Sequence, residues 1–74
     1  MKSNLSIFLK KQRKIAGLSQ VELAEKSGVG LRLIRNLEQG NINSRMDKVN
    51  EILKLFGYVL YPAEINKFDL NENR

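Results

Sequence analysis

Residues 17–40 read Gly17-Leu18-Ser19-Gln20-Val21-Glu22-Leu23-Ala24-Glu25-Lys26-Ser27-Gly28-Val29-Gly30-Leu31-Arg32-Leu33-Ile34-Arg35-Asn36-Leu37-Glu38-Gln39-Gly40. Ser19 followed three residues later by Glu22 is a capping box. The hydroxyl accepts from the Glu22 amide, and the Glu22 carboxylate reaches back to the Ser19 amide, which starts a helix at Gln20. Gly28 stops that helix after about two turns, because it takes a positive φ without a Cβ penalty. A second short helix then spans about Leu31 to Gln39 and ends at Gly40. Ala24 is small where the later helix crosses the earlier one at close range, and Val29, Ile34 and Leu37 pin the later helix down. Two short helices around a tight glycine turn form a helix-turn-helix.

The flanks extend this all-α reading. Leu5, Phe8, Leu9 and Ala16 recur at helical spacing over about Asn4 to Ala16, with Gly17 as the C-terminal turn. A further helix opens near Ser44, carries Met46, Val49, Ile52, Leu53 and Phe56 on one face, and stops at Gly57. The period then changes. Tyr58-Val59-Leu60-Tyr61 is aromatic and β-branched, bounded by Gly57 and Pro62, and reads as a short strand. A lone strand cannot satisfy its backbone within one chain. The most economical partner is a second copy paired antiparallel across a two-fold axis, which predicts a homodimer through Tyr58, Val59, Leu60 and Tyr61. The expected organisation is a helical domain over 1–57, a dimerising strand over 58–62, and a loose polar tail over 63–74.

Composition narrows the function. At 74 residues the chain makes one small domain, whose marginal core favours oligomerisation. It has no Cys and no His, which excludes disulfides, thiolate zinc sites, cysteine nucleophiles and His-based triads. Nor is there a Gly-rich phosphate cradle or room for a deep pocket, so no enzyme, cofactor or metal is expected. The longest apolar run, residues 58–61, falls far short of a membrane span, and no signal peptide is visible, so a cytoplasmic protein without a membrane partner is expected.

The net charge of +5 is uneven. Residues 1–36 hold eight basic and two acidic groups, whereas residues 37–74 hold five basic and six acidic ones. A basic first half beside a near-neutral second half implies a polyanion partner. On a wheel of the 31–39 helix, Ile34, Leu37 and Glu38 share one side, and Arg32, Arg35, Asn36 and Gln39 the other. The polar side suits a major groove: Arg32 can donate twice to a guanine edge, and Asn36 can pair bidentately with adenine. The expectation is that this ridge and the amino-terminal positive charge form a single DNA-facing surface. Residues Asn43, Ser44 and Arg45 precede the last helix, where they can grip phosphates, although Ser44 and Asp47 also suit plain helix capping.

Residues 17–24 and 34–40 resemble the Cro/C1-type (XRE) helix-turn-helix domain, over residues 5–57. The resemblance implies a lambda-repressor-like fold of four to five helices that binds double-stranded DNA at an inverted-repeat operator as a transcriptional repressor. It implies base-reading roles for Leu31, Arg32 and Asn36. Gln20 is similar to the family's phosphate-clamping glutamine, at a helix N-terminus whose amides favour an anion, and Arg35 is left to hold a phosphate. Arg13 and Glu38 occupy positions that the family joins by a partly buried ion pair, so their implied role is structural. Position 30 is Gly where the family usually caps with Ser or Thr, and Leu31 and Leu33 replace polar residues. The segment from Gly57 to Ala63 with its short tail looks most like HipB-type antitoxins, which repress their own operon and bind a HipA-type kinase toxin, with the tail residues Phe68, Asp69 and Leu70 as a candidate contact. The alternative is a stand-alone phage-type or housekeeping XRE repressor without a toxin partner.

Overall fold

The computed structural model describes residues 4–41 and 45–65. Four helices follow in order: α1 (Asn4–Ile15), α2 (Gln20–Ser27), α3 (Leu31–Glu38) and α4 (Met46–Leu55). Among the described residues there is no strand. Residues 58–65 have no helix or strand of their own within the single chain. Ser44 and Asn43 lie outside the described residues, as do Phe68, Asp69 and Leu70.

Local chemistry starts and stops the elements. At α2, Ser19 Oγ accepts from the Glu22 amide at 3.0 Å, and Glu22 Oε1 accepts from the Ser19 amide at 2.8 Å. Hydrogen bonding to the carboxylate from the Ser19 backbone, and then from the Ser19 side chain, holds the Glu22 carboxyl below its usual pKa. Gly28, at φ 77°, ends the helix and returns its amide to the Ala24 carbonyl. Only Val29 and Gly30 then separate it from α3, so the turn is tight. Helix α4 is capped by Arg45 with no side-chain bond. Asp47 accepts from Arg45 Nη2 at 2.7 Å and from the Lys48 amide.

Gly30 is the N-cap of α3, at φ −71° and ψ 148°, and has no side-chain hydrogen bond. A Cβ built there meets nothing within 4 Å. Gly30→Ser is therefore expected to raise unfolding stability by roughly 0.5 kcal/mol, through a new cap and a less flexible unfolded chain. Urea denaturation checks this, and a lower midpoint would show that position 30 has a conformational demand that serine cannot meet.

Leu9, Leu23, Val29, Ile34, Leu37, Val49, Ile52 and Leu53 form one buried cluster. It draws on all four helices and the turn between α2 and α3. α3 packs against both α1 and α2, and α2 also packs against α4. Leu33 is partly buried against this cluster, a packing role. The helix-turn-helix is thus braced from behind by α1 and α4, and α3 keeps one face free.

After α4 the chain turns at Gly57, at φ 82°, with the Tyr58 amide donating to the Leu53 carbonyl at 3.0 Å. The segment is then tied back. The Tyr58 ring meets Phe8 of α1 edge-on, with centroids 4.7 Å apart. The Leu60 amide donates to Asn50 Oδ1 at 2.8 Å, and the Leu60 side chain packs on the core. Val59 and Tyr61 are left facing solvent.

Candidate nucleic-acid interface

α3 carries its polar residues as the wheel requires. Ile34, Leu37 and Glu38 are buried, Arg32, Arg35 and Gln39 are exposed, and Asn36 is half-buried. Leu31 is half-buried too, between the two faces, with part of its surface available for contact. Two guanidiniums, an amide and an aliphatic group therefore sit on a helix whose opposite side is locked into the core. Such a ridge can donate to guanine, pair with adenine and touch a thymine methyl.

Glu38 ties helix α3 to its neighbours. Its carboxylate, 3% exposed as a residue, accepts from Arg13 Nε at 2.6 Å and from Arg13 Nη2 at 3.0 Å. The third Arg13 bond runs from Nη1 to the Leu18 carbonyl at 2.7 Å. One guanidinium thus ties α1, the α1–α2 turn and α3 together. A planar fork with fixed donor directions can do this, and a lysine cannot. Burial alone would raise the Glu38 carboxyl. The hydrogen bonds from Arg13 and Gln20, with the Arg13 and Lys10 charges, outweigh that and hold it below the usual range.

Gln20 is more constrained than its place in the sequence implies. Its Nε2 donates to Glu38 Oε1 at 3.1 Å, so the side chain lies back against α3. One N–H of the amide remains for a phosphate oxygen. At the same helix end the capping box occupies the Ser19 and Glu22 amides, and the Leu23 amide donates to the Ser19 carbonyl. The Gln20 and Val21 amides are left as outward donors at the positive end of the helix dipole. The bond between Gln20 and Glu38 was not legible in the sequence, because eighteen positions separate the two residues.

The remaining expected phosphate contacts are divided. Arg35 is exposed on the ridge. Arg45 is exposed and paired with Asp47 (Nε to Oδ1 3.1 Å, Nη2 to Oδ2 2.7 Å). A solvent-exposed pair of this kind contributes at most about 1 kcal/mol, so a phosphate can compete for the guanidinium.

The amino-terminal charge is divided between the inside and the surface of α1. Taking Leu9 as the origin of the α1 wheel, Leu5 and Arg13 lie about 40° to either side, whereas Ile7, Lys11 and Lys14 lie roughly 140–200° away. Arg13 points inward to Glu38, while Lys11 and Lys14 point away from the core into solvent. A count of charges along the chain cannot show this split, since only helix phase and packing direction determine it.

Residues 9–59 match the family described as "Helix-turn-helix". The chain belongs to the helix-turn-helix family of the Cro/C1 (XRE) type. Members are DNA-binding regulators rather than enzymes. The protein named "Uncharacterized HTH-type transcriptional regulator y4mF" from Sinorhizobium fredii is 41% identical over 58 residues, which cover 74% of this chain and 76% of the relative. The matched region contains the ridge of α3, the Gln20 helix end and both partners of the Arg13–Glu38 pair. No described helix of this helix-turn-helix protein is long and apolar enough to cross a membrane.

Proposed function

We propose that this helix-turn-helix protein is a homodimeric, sequence-specific repressor that reads an inverted-repeat operator in double-stranded DNA. The observation that carries the reading is the outer face of α3, where Arg32, Arg35 and Gln39 are exposed and Asn36 is half-exposed on a helix immobilised from behind. In this reading Arg32, Asn36 and Leu31 contact base edges. Arg35, Arg45 and the Gln20 helix end hold phosphates, with Asn43 and Ser44 proposed from sequence alone to do the same. Two recognition helices then enter successive major grooves about 34 Å apart.

The dimer proposal rests on residues 58–61. Along this segment the Leu60 side chain packs on the core and its amide donates to Asn50, while Val59 and Tyr61 lie outward at 60% and 76% exposure. Paired with a second copy, this segment would satisfy its remaining backbone groups as a shared strand. Sedimentation at micromolar concentration tests this directly, and a monomer there would remove the shared-strand contact.

Arg32→Ala is expected to weaken operator binding by about 1–3 kcal/mol and to relax one base position. Selection of bound oligonucleotides from a random pool, with wild type and variant side by side, reports specificity, symmetry and half-site spacing together. Unchanged affinity and selectivity in the variant would rule out the assigned role. The resemblance of residues 57–63 to HipB-type antitoxins makes a HipA-type kinase toxin the protein partner to test by co-purification. Recovery of no kinase would favour the stand-alone repressor.

A further inference from the structure

The outward face of α1 lies outside the DNA contacts assigned above. Ile7 and Ile15 are 54% and 69% exposed on a helix whose other isoleucine-sized side chains serve the core. They are two turns apart, roughly 12 Å along the axis. Lys11 and Lys14 lie exposed between them, and Lys10 lies half-buried on the near flank. These five residues line one shallow groove. Three ion pairs occur among the described residues, and none involves these lysines.

We infer that this face is a second binding surface, for an acidic amphipathic helix of a partner protein. Charge and shape select that occupant. The face does not suit a second copy of itself, because it would set three lysines against three lysines. A nucleic-acid backbone would satisfy the lysines but leave both isoleucines against phosphate and water. Insertion into a bilayer needs a continuous apolar face, and here Leu5, Phe8 and Leu9 already pack with the core. A helix with two apolar side chains two turns apart and flanking carboxylates satisfies both kinds of group. The isoleucines would bury against its apolar side chains, and the lysines would pair at the rim and set orientation and association rate. Because none of these five residues is among the assigned DNA contacts, such a partner can bind while the recognition helix is engaged.

The test uses the full chain, isotopically labelled, and a synthetic amphipathic peptide carrying two leucines two turns apart flanked by glutamates. Expected are amide shifts confined to α1, centred on Ile7, Lys11, Lys14 and Ile15, with affinity falling as salt rises. The variants Lys11→Gln/Lys14→Gln and Ile7→Ser/Ile15→Ser should each lose tenfold or more in peptide affinity. Both should keep operator affinity within about threefold at physiological salt, where the Debye length is about 8 Å. All four substitutions are at the surface, and matching thermal melts establish that both variants fold. The inference is overturned if the peptide shifts fall on α3, if both variants bind the peptide like wild type, or if phosphatidylglycerol vesicles bind this face and the peptide does not. Loss of operator binding in wild type would strike the repressor reading and leave this one standing.

Discussion

Glu38→Ala is expected to lower unfolding stability by about 3–5 kcal/mol, because it strands a charge without removing its burial. The Arg13 side chain is 11% exposed, and two of its three hydrogen bonds end on Glu38. Alanine leaves that guanidinium with the Leu18 carbonyl alone, and leaves the Gln20 amide without its partner. A chain of this length has total stability on the order of 4–11 kcal/mol. The variant should therefore be partly unfolded at room temperature, with a clearly lower urea midpoint. Arg13→Met/Glu38→Leu removes both charges and should recover most of the loss, as apolar replacements of buried pairs do. If the single variant costs under about 1 kcal/mol, the pair is effectively solvated and does not orient α3.

The same pair predicts a pH signature. Glu38 titrates below its ordinary value in the folded protein, against about 4.3 in an unfolded chain. Its charge-dependent stabilisation is therefore fully present above the unfolded value and is lost as pH falls through the lower folded one. Glu38→Gln should show a stability deficit at neutral pH that shrinks on acidification through this window. A deficit independent of pH would assign the effect to packing rather than to charge.

Leu37→Ala is expected to cost about 2–5 kcal/mol by opening a cavity where α3 meets the core. Leu37 is 1% exposed, one turn from Ile34 and beside Glu38, so little space exists for neighbours to collapse into. Its signature should be the reverse of that of Arg32→Ala. The core variant loses thermal stability but keeps its base preferences, because the polar ridge is chemically unchanged. The ridge variant melts normally and loses discrimination. Saturating operator DNA should also restore part of the core variant's stability, about 2.7 kcal/mol at a hundredfold excess over Kd. If Leu37→Ala changed base preference without destabilising the chain, α3 would be held by something other than this core.

The chain carries two kinds of structural information, local and long-range. The helix ends were legible because their hydrogen bonds are local. Ser19 and Glu22 stand three residues apart and meet as expected, and Gly17, Gly28, Gly40 and Gly57 all take positive φ. The two faces of α3 were legible for a related reason, since a helix imposes its period on whatever residues it carries. Less local features were not. Asn50 gives no sign in the sequence that it will hold the Leu60 amide.

The sequence by itself determined four short helices, a tight turn between the second and third, and a basic first half, because turn chemistry and helical periodicity act over a few residues. Only the tertiary structure decided that Gln20 from α2 joins Arg13 from α1 on the one carboxylate of Glu38, and that Lys11 and Lys14 of α1 are turned to solvent. Such outcomes depend on the direction in which each helix is packed, which burial of the whole apolar cluster sets at once.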